Sequence, residues 1–297
     1  RLTPFDFVAN KEDGYGVDWP IRYKDLAPWY DYVENYIGVS GENLNLNQFP
    51  NQKLLKPMEL NCVEKVLQNS ISEKYSNRHM TIGRVAHITE GTKPGLGRLN
   101  CQFRNRCRRG CPFGAYFSSN SSTLPAAEAT GNMTLRTNSI VYEVIYDELN
   151  KRATGVKIID SESNLTYEFK AKIIFMCAST VPTTSILMQS KSNRFPNGLG
   201  NDSGELGHNI MDHHFQIGAD ATYDGFEDKY YTGRRPNGIY IPRFQNIGGK
   251  TKNTNFLRGY GYQGGASRTD WTKYVKEASY GEKLKQAVIR PGEWTMG

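Results

Sequence analysis

Three closely spaced cysteines are the residues of this 297-residue chain best suited to chemistry. Cys101, Cys107 and Cys111 follow the spacing C-x5-C-x3-C and are followed by Pro112. Thiols this close together hold a metal ion or cluster, form a disulfide, or take part in redox chemistry. A structural zinc site usually needs four ligands, and His87 lies fourteen residues upstream, so the spacing favours an iron–sulfur cluster held by three thiolates. The alternatives are another metal, a disulfide with one cysteine left over, and an inert loop of reduced thiols.

Histidines and carboxylates are also concentrated in residues 204–214, which include the pair His213 and His214. The spacing H-x4-H-H is not a recognised ligand pattern. We therefore interpret this segment as a glycine-dependent turn whose backbone is fixed by Asn209 and Asp212. The sequence contains no GxGxxG, P-loop, G-x-S-x-G or HExxH motif. No residue of this chain is predicted to be catalytic.

The formal net charge of the chain is +7. Its basic residues are concentrated at one place, beside the cysteines, where four arginines occur: Arg104, Arg106, Arg108 and Arg109. Because they interleave with cysteines and not with aromatic residues, we predict no nucleic-acid binding. We interpret them as solvated or as offsetting thiolate charge. No apolar run approaches the roughly 18 residues of a membrane span, so no transmembrane segment is predicted. Since the chain opens at Arg1 without an initiator methionine, we interpret it as an internal part of a longer protein.

Apolar periodicity predicts the elements that position these groups. A helix is predicted from an N-cap at Asp25 to a stop at Gly38, and a second helix over residues 57–74. Residues 76–123 are predicted to form a long functional loop.

The second half of the chain has the pattern of strands. Alternating residues between 133 and 170 predict antiparallel hairpins. The continuous apolar run 172–178 predicts a strand buried on both faces of a parallel sheet, followed by a helix that begins at Thr180 or Thr183. Alternation with turns between 215 and 268 predicts the antiparallel sheet of a second domain.

Taken in order, four segments resemble the glucose-methanol-choline (GMC) family of flavoprotein oxidoreductases. The aromatic segment 18–30 resembles the stretch that leads to the family's substrate side, and the serine-rich segment 114–126 resembles its flavin-flanking loop. The segment 177–190 is similar to the family's second signature, and 206–213 matches its G-x-N-x-x-D-H element. Within the family, the C-x5-C-x3-C-P run resembles the sugar and gluconate dehydrogenase large-subunit branch, in which some members carry a three-iron cluster.

The resemblance implies an α/β plus α+β fold, in which part of a GMC-type FAD-binding domain joins an antiparallel-sheet substrate domain. It implies that Val141 lies by the adenine and that residues 177–179, which are Cys177, Ala178 and Ser179, flank the nucleotide. Cys101, Cys107 and Cys111 are implied to hold a 3Fe–4S cluster. The implied divisions are a helical segment over 1–75, a cysteine loop region over 76–125, part of the FAD-binding domain over 126–214, and part of the substrate-domain sheet, which roofs the substrate cavity, over 215–297.

The family's GxGxxG strand-helix and its catalytic histidine have no counterpart in this sequence, since His213 and His214 belong to the G-x-N-x-x-D-H element. By resemblance, the parent protein is expected to be an FAD-dependent dehydrogenase of a sugar, polyol or glycoside hydroxyl that passes electrons to a cytochrome or quinone. Its expected partners are a small subunit and cytochrome c, and its expected location is the periplasm. The chain alone is expected to be inactive and to bind FAD weakly or not at all. The rival hypothesis is a non-enzymatic, disulfide-stabilised secreted binding domain.

Overall fold

A computed structural model describes residues 1–95, 97–104, 106–212, 217–229, 238–269, 280–289 and 292–297. The chain divides into two units. The first unit combines residues 1–132 with 218–297, and the second consists of residues 133–217. The predicted pair His213 and His214 lies outside the described residues.

The described residues form six α-helices, five in the first unit and one, α5, in the second. In chain order they are α1 (Pro4–Asp13), α2 (Tyr23–Ile37), α3 (Cys62–Lys74), α4 (Thr123–Glu128), α5 (Thr180–Gln189) and α6 (Gly281–Ile289).

Helix α2 ends where the sequence predicts but begins earlier. Gly38 ends the helix in a left-handed conformation, with φ of 79°, and its N–H donates to the Glu34 carbonyl at 3.0 Å. Asp25 is not the N-cap, because the helix already begins at Tyr23. Its carboxylate instead accepts a hydrogen bond from the Arg22 N–H at 2.7 Å, as the third helical residue of a capping box does.

Helix α3 begins at Cys62, which is later than predicted, because Asn61 caps it. The Asn61 side chain accepts from the Glu64 N–H at 3.0 Å, and the Glu64 carboxylate accepts from the Asn61 N–H at 2.9 Å. Glu64 is fully buried, and its other oxygen accepts from the Ala266 N–H at 3.1 Å. One carboxylate therefore joins the start of α3 to a strand about 200 residues away in the sequence.

Eight of the described strands, all in the first unit, form two three-stranded antiparallel sheets and one strand pair. One sheet has the order β2-β8-β9, the other β10-β11-β7, and β1 pairs with β3. Their bounds are β1 (Val39–Ser40), β2 (Thr81–Ile82), β3 (Val85–Ala86), β7 (Ala221–Tyr223), β8 (Ile239–Ile241), β9 (Tyr262–Gly264), β10 (Ala266–Arg268) and β11 (Trp294–Met296). Antiparallel pairing over 215–268 is thus confirmed for the described residues, but in shorter strands than the sequence pattern predicts.

Two small clusters of buried side chains form the core of the first unit. In the first, Ile71 of α3 packs with Met80, Ile239, Ile241 and Phe244. In the second, Val63 packs with Ala266 and Trp294. Both clusters are apolar side chains of α3 against the sheets, so α3 is the helix that holds the two sheets of this unit.

The second unit is an antiparallel meander with one helix packed on it. Strands β4 (Ser139–Asp147), β5 (Arg152–Asp160) and β6 (Thr166–Lys170) lie in the order β4-β5-β6, which confirms the predicted hairpins. Helix α5 packs against β4, and Ser190 at its end accepts from the Val144 N–H at 2.8 Å.

The predicted buried strand over 172–178 is wrong for this structure. The segment pairs with no strand among the described residues, and the side chains of Ile173 and Phe175 are 72% and 82% exposed. Continuous apolar character predicts burial but does not supply a partner strand, and within the described part of this unit β6 is the last strand of the sheet.

No helix among the described residues combines the length and the apolar character needed to cross a membrane.

Candidate functional site

The cysteine loop folds back on the segment that contains His87. Its backbone is fixed at both ends, since the Cys101 N–H donates to the Ile88 carbonyl at 2.8 Å and the Leu99 N–H donates to the Phe113 carbonyl at 2.7 Å. A short 3-10 helix spans Cys107–Arg109. As a result, the three predicted cysteines and His87 line one small cavity of about 20 Å³.

His87 belongs to this site although the sequence spacing excludes it. The imidazole is fully buried, its Nε2 atom lies 3.8 Å from the Cys107 Sγ atom, and its ring centre lies 5.3 Å from that of Tyr116. An isolated antiparallel bridge between His87 and Tyr116 brings the two parts of the chain together. Because the bridge joins residues 29 positions apart, a local cysteine motif cannot reveal that His87 lies beside these thiols.

Burial is the largest influence on the pKa of the Cys101 thiol. It raises that pKa, the neighbouring Cys111 raises it further, and a hydrogen bond from the Phe103 N–H at 3.4 Å lowers it. Arg98 lies behind the loop, almost fully buried, and donates to the Gly114 carbonyl at 2.8 Å. Burial lowers the pKa of Arg98, while the nearby Cys111 raises it, so a cation stands close to that thiol.

The loop does not form a metal site as it stands. Thiolates and an imidazole are a suitable donor set for zinc or an iron–sulfur centre. However, no group of three or more His, Cys, Asp or Glu side chains among the described residues is arranged to hold a metal ion. A volume of about 20 Å³ also has room for roughly one water, which is less than a multi-iron cluster needs. The 3Fe–4S assignment at Cys101, Cys107 and Cys111 therefore stays a prediction from spacing and resemblance.

The same loop gives no support to the disulfide alternative, because all five cysteines are free thiols: Cys62, Cys101, Cys107, Cys111 and Cys177.

The described part of the histidine-rich segment is a tight turn, as the sequence predicts. Gly204 and Gly207 have φ of 77° and 87°, which glycine adopts without strain. The Asn209 side-chain amide donates to the Glu205 carboxylate at 2.6 Å, and the His208 N–H donates to the Glu205 carbonyl at 3.0 Å. The Asn209 bond joins two side chains, so the fixing of the backbone by Asn209 and Asp212 stays a prediction.

Three of the four residues predicted to contact FAD meet at one cleft of the second unit. Val141 of β4 lines it together with Cys177 and Ala178, in a volume of about 500 Å³. The remaining lining side chains are largely apolar and include Val156, Phe169 and Phe175. An apolar cleft of this kind fits a flat ring system such as adenine. The sequence holds no GxGxxG loop for the pyrophosphate, so the residues present fit one part of the cofactor.

Ser179, the fourth predicted residue, occupies the N-cap of α5 in an unusual conformation. Its φ of 75° and ψ of 169° fall in a region that is essentially restricted to glycine, and its side chain makes no capping hydrogen bond. Its carbonyl accepts from the Thr183 N–H at 3.0 Å, so the first turn of the helix is formed. The helix therefore begins at Thr180, the first of the two predicted starts.

Comparison with protein families identifies the stretch that contains both the cysteine loop and the apolar cleft. Residues 97–215 match the family model described as GMC oxidoreductase.

Curated relatives match most of this chain at low identity. The 2-methyl-1,2-propanediol dehydrogenase of Mycolicibacterium austroafricanum is 26% identical over 268 residues, which are 89% of this chain and 46% of the relative. The fructose dehydrogenase large subunit of Gluconobacter japonicus is 26% identical over 219 residues, or 72% of this chain and 38% of the relative. The paromamine 6'-oxidase of Streptomyces fradiae is 26% identical over 216 residues, or 71% and 38%.

The chain spans less than half the length of these relatives. All three are named as oxidising enzymes, and two of the names specify a diol or a sugar. Residues 97–215 thus match the GMC oxidoreductase family model, and most of the chain is similar to these three enzymes.

Proposed function

We propose that the protein containing this chain is an FAD-dependent oxidoreductase that oxidises a CH–OH group of a sugar, polyol or glycoside. The observation that carries the proposal is the family match over residues 97–215, which includes the apolar cleft residues Val141, Cys177 and Ala178. The names of the relatives, a diol dehydrogenase and a fructose dehydrogenase large subunit, support hydroxyl compounds as the substrate class.

In this proposal, FAD supplies a two-electron acceptor for the hydride that leaves the carbinol carbon of the substrate. The residues of this chain bind and orient part of the cofactor. Val141 and Ala178 present apolar surface in the cleft, on which a ring system of the cofactor would lie. We assign no residue of this chain as the general base that removes the hydroxyl proton.

The identity of the electron acceptor is a second part of the proposal. One relative is named as a large subunit, and this supports a small subunit as a partner. A cytochrome c partner and a periplasmic location are proposed from the resemblance of the cysteine run alone. Another relative is named as an oxidase, which favours oxygen as the rival acceptor. Hydrogen peroxide formation during turnover separates the two acceptors, since an oxidase forms it in proportion to product and a dehydrogenase does not.

The cleft assignment is tested in the full-length protein with two arginine substitutions. Val141→Arg places a charged side chain in the apolar cleft and is expected to lower the flavin content per polypeptide severalfold. Leu149→Arg alters an almost fully exposed turn of the same unit and is the matched control. Equal flavin content in both variants, with unchanged melting temperatures, would contradict the assignment of the cleft.

A further inference from the structure

A cavity of about 550 Å³ lies in the first unit between helix α1 and the loop that follows strand β8. One face of α1 forms its apolar wall, since Phe5, Val8 and Ala9 are three and four residues apart and all line it. Phe256 and Leu257 of the loop add further apolar surface. The rest of the wall is polar and charged, so the cavity has an apolar side and a polar side.

The loop that closes this cavity is held in place by Asn246. Its side-chain amide donates to the Phe256 carbonyl at 3.1 Å, and its side-chain oxygen accepts from the Asn253 N–H at 2.7 Å. Arg258 joins the same loop to α1, because its guanidinium donates to the Asp13 carboxylate. Both sides of the cavity are thus fixed before any ligand arrives, as is usual for small-molecule sites.

Two cations of the wall make no ion pair with a described residue, and both can be reached from the cavity. Arg243 is half-buried, and it donates to the carbonyls of Gln245 and Asn246, which are neutral. Its guanidinium lies 5.4 Å from the centre of the Phe5 ring, at the border between the polar and the apolar wall. Lys252 is exposed and lines the same cavity. These two groups are available to an anion.

The charges of the wall favour a ligand with one negative charge. Asp13 neutralises Arg258 through their ion pair. Glu12 is the other carboxylate of the wall, and it stands against the two cations Arg243 and Lys252. Two positive charges and one negative charge leave a surplus of one positive charge.

We propose that this cavity binds an amphipathic monocarboxylate. Its hydrocarbon body lies on the apolar face of α1, and its carboxylate accepts hydrogen bonds from Arg243 and Lys252. A charge-assisted hydrogen bond to a carboxylate is stronger than one to a neutral carbonyl, so the charged end fixes the orientation of the ligand. The inference goes beyond the proposed function and does not depend on it, because the site lies within the first unit and needs no flavin.

The test is direct binding of three probes to the chain by calorimetry: octanoate, octanol and acetate. Octanoate is expected to bind saturably with one molecule per chain. Octanol keeps the hydrocarbon body but lacks the charge, and it is expected to bind about tenfold more weakly. Acetate keeps the charge but lacks the body, and it is expected not to bind at the same concentrations.

Two lysines of the loop provide matched variants. Lys252→Met is expected to weaken octanoate binding about three- to fivefold, the effect of losing one solvent-accessible charge pair. Lys250→Met is the control, because Lys250 is also exposed and lies two residues away but does not line the cavity. Neither side chain is buried, so both variants are expected to keep the melting temperature of the wild type.

Leu257 tests the apolar side in the same way. Its side chain is 73% exposed, so Leu257→Asp is expected to fold normally and to weaken octanoate binding about tenfold. Leu257→Met keeps the apolar surface and is expected to bind octanoate like the wild type. Absence of saturable octanoate binding, octanol or acetate binding as tight as octanoate binding, or equal effects of the two lysine variants would overturn the inference.

Discussion

The Nε2 atom of His87 lies 3.8 Å from the Sγ atom of Cys107, although twenty residues separate them in the sequence. An imidazole beside a thiol increases the reactive thiolate fraction. We therefore expect His87→Phe, which keeps a ring against Tyr116, to slow alkylation of Cys107 severalfold at neutral pH. Mass-spectrometric labelling rates test this, with Cys62 as the internal control. Unchanged Cys107 labelling in the variant would show that the imidazole has no influence on the thiol.

The buried carboxylate of Glu64 is expected to be one of the strongest single contributors to stability in the first unit. Glu64→Ala removes the acceptor of both the Asn61 and the Ala266 N–H groups, so the free energy of unfolding should fall by about 2–4 kcal/mol. Urea unfolding measures the loss. Glu73→Ala, on the exposed face of the same helix, should change stability by less than about 0.5 kcal/mol. Similar losses for the two variants would refute the role given to Glu64.

The backbone at Ser179 predicts a stabilising substitution. Because its φ and ψ are those of glycine, Ser179→Gly should raise the free energy of unfolding by about 1 kcal/mol, the relieved strain exceeding the entropy cost of glycine. Ser179→Ala keeps the Cβ atom and should give no such gain. Thermal unfolding of the three proteins decides the point, and a glycine variant no more stable than the alanine variant would contradict it.

Asp160 predicts a specific dependence of stability on pH. Hydrogen bonds from the Ser163 N–H, from Arg136 and from the Glu162 N–H lower its pKa to about 2, from about 3.9 in an unfolded chain. A depressed carboxyl pKa stabilises the fold above the unfolded value, and this contribution is lost as pH falls from about 4 to about 2.

The stability difference between the wild type and Asp160→Asn should therefore shrink over that interval. Denaturant unfolding at a series of pH values measures it. A difference that is the same at pH 2 and pH 6 would mean that Asp160 contributes nothing through its charge.

Local signals in the sequence predict a good part of the fold. The left-handed glycine at Gly38 ends α2, and the turn-separated alternation over residues 139–170 gives the β4-β5-β6 meander, because both features depend on neighbours along the chain. The buried strand predicted from the apolar run 172–178 is wrong. Apolar character favours burial of a segment, but it does not identify the strand with which the segment would pair.

The candidate sites divide in the same way. The C-x5-C-x3-C spacing locates the thiols, but His87 joins them through a bridge to Tyr116 that no local motif contains.

The most direct test of the proposed function is anaerobic spectroscopy of the full-length protein that contains this chain. The proposal predicts that the purified protein carries a flavin absorbance and that a sugar or polyol such as fructose or sorbitol bleaches it, with one oxidised product formed per flavin. Readmission of an acceptor should restore the oxidised spectrum. A protein without bound flavin, or a flavin that no hydroxyl compound of this class reduces, would contradict the proposed function.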